Sequence, residues 1–190
     1  MQTKCCGNLF VISGPSGAGK GTLVDRLRYL FPDAWVSISA TSRDPRPGDV
    51  EGETYFFLSK EEFENLIAQN GLIEYANVYG NYYGTPIKPI QQHLDAGDIV
   101  ILEIDIQGGF QVREKFPQAH LIFIAPPSME VLEQRLRARA TDSEEAITKR
   151  LQVAAEELSA STKYDVVVVN DELEKTTKEL EEVIQSRLGQ

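Results

Sequence analysis

Apolar and polar positions switch between two periods along the chain, and the switches mark the elements. Leu9-Phe10-Val11-Ile12 is a short unbroken apolar run, the pattern of a strand buried on both faces. It enters Gly14-Pro15-Ser16-Gly17-Ala18-Gly19-Lys20, after which Leu23, Leu27 and Leu30 fall on one face of a predicted helix stopped at Phe31-Pro32-Asp33. Trp35 to Ser39 reads as a second strand, and Ser42 to Thr54 as a loop rich in proline, glycine and charge. Tyr55-Phe56-Phe57-Leu58 reads as a strand, and Ser59 with Glu62 makes a capping box for a helix to about Asn70. Leu72 to Val78 is β-like, with a turn expected at Gly80-Asn81. Thr85 as N-cap and Pro86 at the first helical position open a helix that Gly97 ends.

The second half repeats the alternation. Ile99 to Asp105 is a near-continuous apolar run ending in carboxylates, as in a central parallel strand. Leu121 to Ile124 is another strand, stopped by Pro126-Pro127. Ser128 to about Arg139 is helical, and Asp142 with Glu145 is expected to cap a further long helix. Val166 to Val169 reads as a buried strand and Glu172 to Leu188 as a closing amphipathic helix. Strands alternating with helices at both ends predict an α/β fold with a parallel sheet. Trp35 to about Thr85 breaks the alternation and reads as an inserted, mixed β/α lobe; the Arg-rich, cap-rich stretch from Arg135 to roughly Glu157 reads as a second mobile piece.

Composition narrows the function classes. At 42% hydrophobic and 25% charged, a chain of 190 residues can bury a full core and is too apolar for disorder. The formal net charge of −10 argues against broad binding to nucleic acid or anionic membrane, so any anionic ligand must be gripped by a local cationic cluster. No apolar run approaches a membrane span or a signal segment, and a cytoplasmic location is expected. Cys5 and Cys6 are adjacent and have neither disulfide-framework nor metal-site spacing. His93 and His120 share no ligand-like pattern and read as structural.

Gly14-x-x-x-x-Gly19-Lys20 lies between a predicted strand and a predicted helix, the context a phosphate-binding loop requires. Glycines let the backbone N–H groups curl toward one centre, the helix N-terminus adds partial positive charge, and Lys20 adds a full one. The loop residues Gly14, Pro15, Ser16, Gly17, Ala18, Gly19, Lys20, Gly21 and Thr22 are thus candidates for the phosphates of a nucleoside triphosphate. Gly21 stands where the full pattern has Ser or Thr, which leaves no hydroxyl there for Mg²⁺. A metal is expected to rest mainly on phosphates and water, an arrangement Mg²⁺ accepts, with Thr22, Glu103 or Asp105 behind the water. Arg43-Asp44-Pro45-Arg46-Pro47-Gly48 brings two guanidinium groups together on a stiff loop, either to grip phosphate bidentately or as a solvated charged surface.

Taken in order, several segments form a joint pattern. They are Ser39 to Gly48, Tyr55-Phe56-Phe57, Gly80-Asn81-Tyr82-Tyr83-Gly84-Thr85, Glu103 to Gly108, Ile124 to Ser128 and Thr141 to Glu145. From about Leu9 to Leu188 the chain resembles the guanylate kinases, P-loop enzymes that convert GMP and ATP into GDP and ADP. The resemblance implies one domain: a core of about 1–34, 86–134 and 158–190, a GMP-binding lobe of about 35–85, and a helical lid of about 135–157. It assigns the GMP phosphate to Arg43, Arg46, Tyr55 and Tyr83, and the guanine base to Ser39, Glu74, Thr85 and Asp105. It brings Arg135, Arg139 and Arg150 to the ATP phosphates with Lys20, and Asn170 beside adenine. Ala138 and Ala140 flank Arg139 where the family usually has glycine. The implied partners are ATP, GMP and dGMP, with Mg²⁺ as cofactor. The competing reading is a catalytically inactive guanylate-kinase-like module that binds phosphopeptides, but Lys20, the loop glycines and the lid arginines are all in place. The pattern sets no oligomeric state.

Overall fold

The computed structural model describes residues 8–138 and 143–188. Along the chain run β1 (Leu9–Ser13), α1 (Lys20–Leu30), β2 (Trp35–Val36), β3 (Ala40–Thr41), β4 (Phe56–Phe57), α2 (Lys60–Ala68), β5 (Leu72–Val78) and β6 (Asn81–Pro86). There follow α3 (Ile87–Ala96), β7 (Val100–Glu103), α4 (Ile106–Lys115), β8 (His120–Ala125), α5 (Met129–Ala138), α6 (Glu144–Ser159), β9 (Val166–Val169) and α7 (Leu173–Arg187).

β1 is central in a five-stranded parallel sheet of order β2-β7-β1-β8-β9. Its unbroken apolar run follows from burial on both faces, since successive side chains point to opposite sides. Leu9 and Val11 pack with Ile90 and Leu94 of α3, Val112 of α4 and Phe116 at its C-cap. Phe10 and Ile12 pack with Leu23 and Leu27 of α1 and Leu180 and Ile184 of α7. Burying each such side chain contributes roughly 1.5–3 kcal/mol. β1 has β7 on one side and β8 on the other, so the crossovers leave in opposite directions. That switch point opens a crevice at the carboxyl ends of the strands, where the glycine-rich loop lies.

The stretch after β2 builds a second, four-stranded sheet of order β4-β3-β6-β5, with β3 and β4 parallel and the other pairs antiparallel. Its small core joins Ala40, Leu72 and Phe63 of α2, and Phe63 stacks on Tyr82. Ser59 and Glu62 form the expected reciprocal cap of α2. Leu132 and Leu136 of α5 pack against Ala154 of α6 in a further cluster.

Several expectations need correction. The strand from Trp35 ends at Val36: Ser37 N–H still reaches Ile101, and the chain then crosses to the second sheet at Ala40. The hairpin turn is at Tyr79-Gly80, both at positive φ, and Asn81 already belongs to β6. Thr85 caps no helix. It is a strand residue whose hydroxyl is claimed by a buried carboxylate, and α3 starts behind Pro86 without a side-chain cap. α6 begins at Glu144, capped by Ser143; Asp142 lies outside the described residues. Helix α4 has no counterpart in the sequence reading. Its buried positions include Gly108 and Gly109, which carry no apolar side chain to mark a face, and Asp105 caps it.

Ser59→Ala should cost about 1 kcal/mol and lower the melting temperature by a few degrees in a thermal melt, because it leaves the Glu62 N–H without its acceptor while the Ser59 N–H keeps its bond to the Glu62 carboxylate.

Candidate active site

The glycine-rich loop leaves the end of β1 and delivers the chain into α1 at Gly19, whose φ of +92° suits glycine. A Cβ there would lie 2.3 Å from Asn170 Nδ2. That amide donates to the Ala18 carbonyl at 2.7 Å, so the end of β9 buttresses the loop from behind. Asn170 is itself buried, and its side-chain amide serves the loop backbone. Lys20 reaches back across the loop, Nζ donating to the carbonyls of Gly14 (2.6 Å) and Pro15 (3.2 Å). From the helices beyond, Arg135 Nη2 donates to the Asn170 carbonyl at 2.9 Å, while its Nη1 is buried with no hydrogen-bond partner among the described residues. Arg150 Nη1 approaches Ser16 Oγ at 3.5 Å. Arg139 lies outside the described residues, as do Cys5 and Cys6.

Two cavities meet at the end of β7. One, of about 560 Å³, is lined by Gly14, Ser16 and Lys20 of the loop and by Lys149 and Arg150 of α6. The other, of about 330 Å³, is lined by Ser39, Tyr55, Glu74 and Tyr83 of the second sheet and its approaches. Glu103, Ile104 and Asp105 line both.

In the second cavity a carboxylate is set deep. Glu74 is 7% exposed, and its carboxyl is pushed up to about 7, first by burial and further by Asp105, against the pull of the Thr85 hydroxyl. Thr85 Oγ1 donates to Glu74 Oε1 at 2.6 Å and lies 3.1 Å from Ser39 Oγ. A hydroxyl has one hydrogen, so with Glu74 ionised the chain runs Ser39 to Thr85 to Glu74. Thr85, at zero exposure, thus orients the carboxylate and does not itself face the cavity. Asp105 Oδ1 accepts Gly108 N–H at 2.7 Å, which fixes its carboxylate at the N-cap of α4.

At the cavity's other end, Arg43 Nη1 donates to Asp49 Oδ2 and to the Asp44 carbonyl, both at 2.8 Å. Its guanidinium stands 5.4 Å from the Tyr55 ring centre, and Tyr55 meets Tyr83 edge-on at 6.1 Å. Asp49 raises the Arg43 pKa most, with Tyr83 adding to it, and the same pair lowers Asp49. Arg43, Tyr55 and Tyr83 are therefore brought together. Arg46 joins only through its backbone N–H, which donates to Asp49 at 2.7 Å; its side chain is exposed.

Behind the loop, Gly17, Lys20, Gly21, Thr22, Asp25 and Glu103 line a third recess, of about 430 Å³. Glu103 Oε1 lies 3.6 Å from where a Cβ on Gly21 would be, so a carboxylate faces the place left bare by the missing hydroxyl. Desolvation raises the Glu103 carboxyl and Lys20 opposes the shift. Among the described residues no three His, Cys, Asp or Glu side chains cluster as a metal cage. Two carboxylates, Asp25 and Glu103, with Thr22 nearby fit a cation that keeps most of its own water, as Mg²⁺ does.

Asp49, Tyr79 and Lys149 went unmarked in the sequence. Lys149 Nζ donates to Tyr79 Oη at 3.2 Å, joining α6 to the hairpin tip across the first cavity. A lone Asp after a Pro-Arg-Pro loop and an exposed Lys on a helix carry no signal until the fold supplies their partners.

A family model described as guanylate kinase matches residues 6–187. The guanylate kinase of Parasynechococcus marenigrum (strain WH8102) is 55% identical over 175 residues, covering 92% of this chain and 96% of that one. That of Desulfitobacterium hafniense (strain Y51) is 52% identical over 178 residues, covering 94% and 89%. The crystal structure of guanylate kinase from Anaplasma phagocytophilum matches with a TM-score of 0.75 at 34% identity, covering 98% of this chain and 89% of that chain.

The raised Glu74 carboxyl has a consequence for stability. Between its ordinary value of 4.5 and about 7 the folded state holds a proton that the unfolded state releases. Its stabilising contribution is complete below the lower value and is lost as pH rises through the higher. Melting curves from about pH 5 to about pH 8 should show wild type losing stability relative to Glu74→Gln. Parallel curves would count against a buried, proton-holding Glu74.

Proposed function

The chain belongs to the guanylate kinase family and moves the γ-phosphate of ATP to GMP, giving ADP and GDP; we propose that the two cavities joined at Glu103 to Asp105 hold the donor phosphates and the acceptor nucleotide end to end. The observation that carries this reading is their shared wall. A phosphate-binding loop lines one side and a buried base-reading carboxylate the other.

In this reading the residues 35–85 form the GMP lobe, the residues 135–157 the lid, and the rest the core. Arg43, held by Asp49, grips the GMP phosphate with Tyr55 and Tyr83, and Arg46 swings in from its exposed position. Glu74 accepts from guanine N1–H and the 2-amino group, with Thr85 and Ser39 orienting it and Asp105 beside it. Adenine offers an acceptor at N1 and no 2-amino group, so it would leave Glu74 facing a lone pair. A buried site that loses paired hydrogen bonds discriminates by roughly 10⁴ or more.

A GMP phosphate oxygen attacks the γ-phosphorus in line, and the bond to the bridging oxygen breaks with its electron pair leaving on ADP. The attacking oxygen is already anionic, so no strong base is needed; positioning and charge neutralisation do the work. Lys20, Arg150 and Arg135 act on the transferring group, with Arg139 assigned there by the family resemblance alone, and the backbone of Gly14 to Thr22 cradles the donor phosphates. Lys20 has to exchange its carbonyl partners for phosphate oxygens. Mg²⁺, when bound, would neutralise phosphate charge, and Glu103 and Thr22, with Asp105 as the further candidate, would hold its water. A cytoplasmic location belongs to this proposal. Among the described residues no helix is long and apolar enough to cross a membrane.

Lys20→Ala should lower turnover on the order of 10²-fold or more with the melting temperature retained, since it removes a charge that acts on the transferring group; near-normal turnover would take the loop out of the mechanism. A coupled ADP-release assay with Mg-ATP against GMP, dGMP, AMP, UMP and shikimate should give turnover with GMP and dGMP alone. Equal use of AMP would overturn the role of Glu74.

A further inference from the structure

Helix α4 and strand β5 make a contact that the phosphate and base chemistry above leaves unused. β5 is an outer strand of the second sheet, bonded on one side to β6. Its other edge therefore presents backbone groups that need partners. α4 supplies them from side chains. Tyr75 N–H donates to Gln111 Oε1 at 3.1 Å, and Gln111 Nε2 donates back to the Tyr75 carbonyl at 3.0 Å. One side-chain amide thus reproduces the two-way exchange of a neighbouring strand. A turn further on, Lys115 Nζ donates to the Leu72 carbonyl at 2.8 Å.

The strand gripped in this way carries Glu74, the residue just before Tyr75. The helix is also cut to fit that side chain: a Cβ on Gly108 would stand 3.0 Å from Glu74 Oε2 and 3.3 Å from its Cγ and Cδ. The same helix starts at Asp105, the other carboxylate of the acceptor cavity. One rigid element therefore bears one carboxylate at its N-cap and holds the strand that bears the other.

We propose that Gln111 is a positioning residue for base recognition. Its paired bonds to the Tyr75 backbone fix Glu74 relative to Asp105, so that the N1–H and 2-amino group of GMP meet a carboxylate already in place. The proposal rests on the reading of Glu74 as the base-recognising group. The bonds are neutral and partly exposed, so their removal leaves the fold largely intact. Misplacement of a recognising group by about 1 Å costs far more, on the order of 10²-fold.

The plain alternative is that Gln111 only protects a strand edge, and steady-state kinetics separate the two. Gln111→Met keeps the length and removes both bonds. It should raise the KM for GMP about 10-fold or more while kcat at saturating GMP and the KM for ATP stay within about twofold. It should also shrink the preference for GMP over IMP, which lacks the 2-amino group. Glu74→Gln, measured alongside, tests the premise. If Glu74→Gln loses the GMP-over-IMP preference and Gln111→Met keeps it, the positioning role is overturned and the base reading stands. If Glu74→Gln keeps the preference, the base reading fails and takes the proposal with it. An equal loss for GMP and IMP with a lower melting temperature also overturns the proposal and assigns Gln111 to the edge. Should Gln111→Met not fold, Gln111→Glu, which keeps the acceptor for Tyr75 N–H but loses the donor, is measured in the same way.

Discussion

Two multiply charged anions must be brought into contact inside a chain whose own formal net charge is −10. Their mutual repulsion and the overall field both oppose the encounter, so everything at the site depends on cations and N–H dipoles held at fixed points. Three of the cations are held by a carboxylate or carbonyl that the fold places beside them. Arg43 is oriented by Asp49, Lys20 lies across the loop carbonyls, and Arg135 rests on the carbonyl of Asn170. Such partners lower the cost of keeping a long cationic side chain in one arrangement. They also create bonds that must be exchanged when phosphate arrives. A cation that stays solvated on the surface, as Arg46 does, carries little energy until a ligand desolvates it.

The architecture separates what must stay fixed from what has to close. The phosphate loop sits at the switch point of a parallel sheet with cores on both faces, and Asn170 braces it from the last strand. The acceptor cavity hangs from the same sheet through α4, whose N-cap lies at the end of β7. Helices α5 and α6 have a separate small cluster around Leu132, Leu136 and Ala154. Their contacts across the first cavity are exposed polar ones, such as Lys149 to Tyr79. Contacts of that kind open at low cost, as a site that must admit and release nucleotides requires.

Glu74 shows how specificity draws on stability. Burial lifts its carboxyl to about 7, which means that the folded chain resists its ionised form. The hydroxyl chain from Ser39 through Thr85 offsets part of that cost and fixes the direction of the carboxylate. In the proposed reading two donors from a guanine edge supply the remaining hydrogen bonds. A base without them leaves the carboxylate unpaired in a low-dielectric setting, where such a defect is expensive.

Local chemistry was enough to identify the phosphate loop, the strands of the parallel sheet, the capping box of α2 and the closing helix. In each, the residues that define the element are neighbours in sequence: an apolar run, glycines around a lysine, a serine three residues before a glutamate. The joint pattern from Ser39 to Glu145 carried the family resemblance, and with it the expected acceptor residues. What lay beyond reach depended on partners far apart in the chain. Thr85 reads as a helix cap until Glu74 is folded against it; Asn170 gains its hold on the phosphate loop only when the fold brings the Ala18 carbonyl within 2.7 Å of its amide. α4 was missed because its buried face is made partly of glycines, so the apolar period that announces a helix is absent. Gln111 and Asp49 are ordinary polar residues in sequence, and only the tertiary structure gives each the backbone or guanidinium it holds. A hydrogen bond between distant residues leaves no period to read, because its energy depends on a distance that only the folded chain fixes.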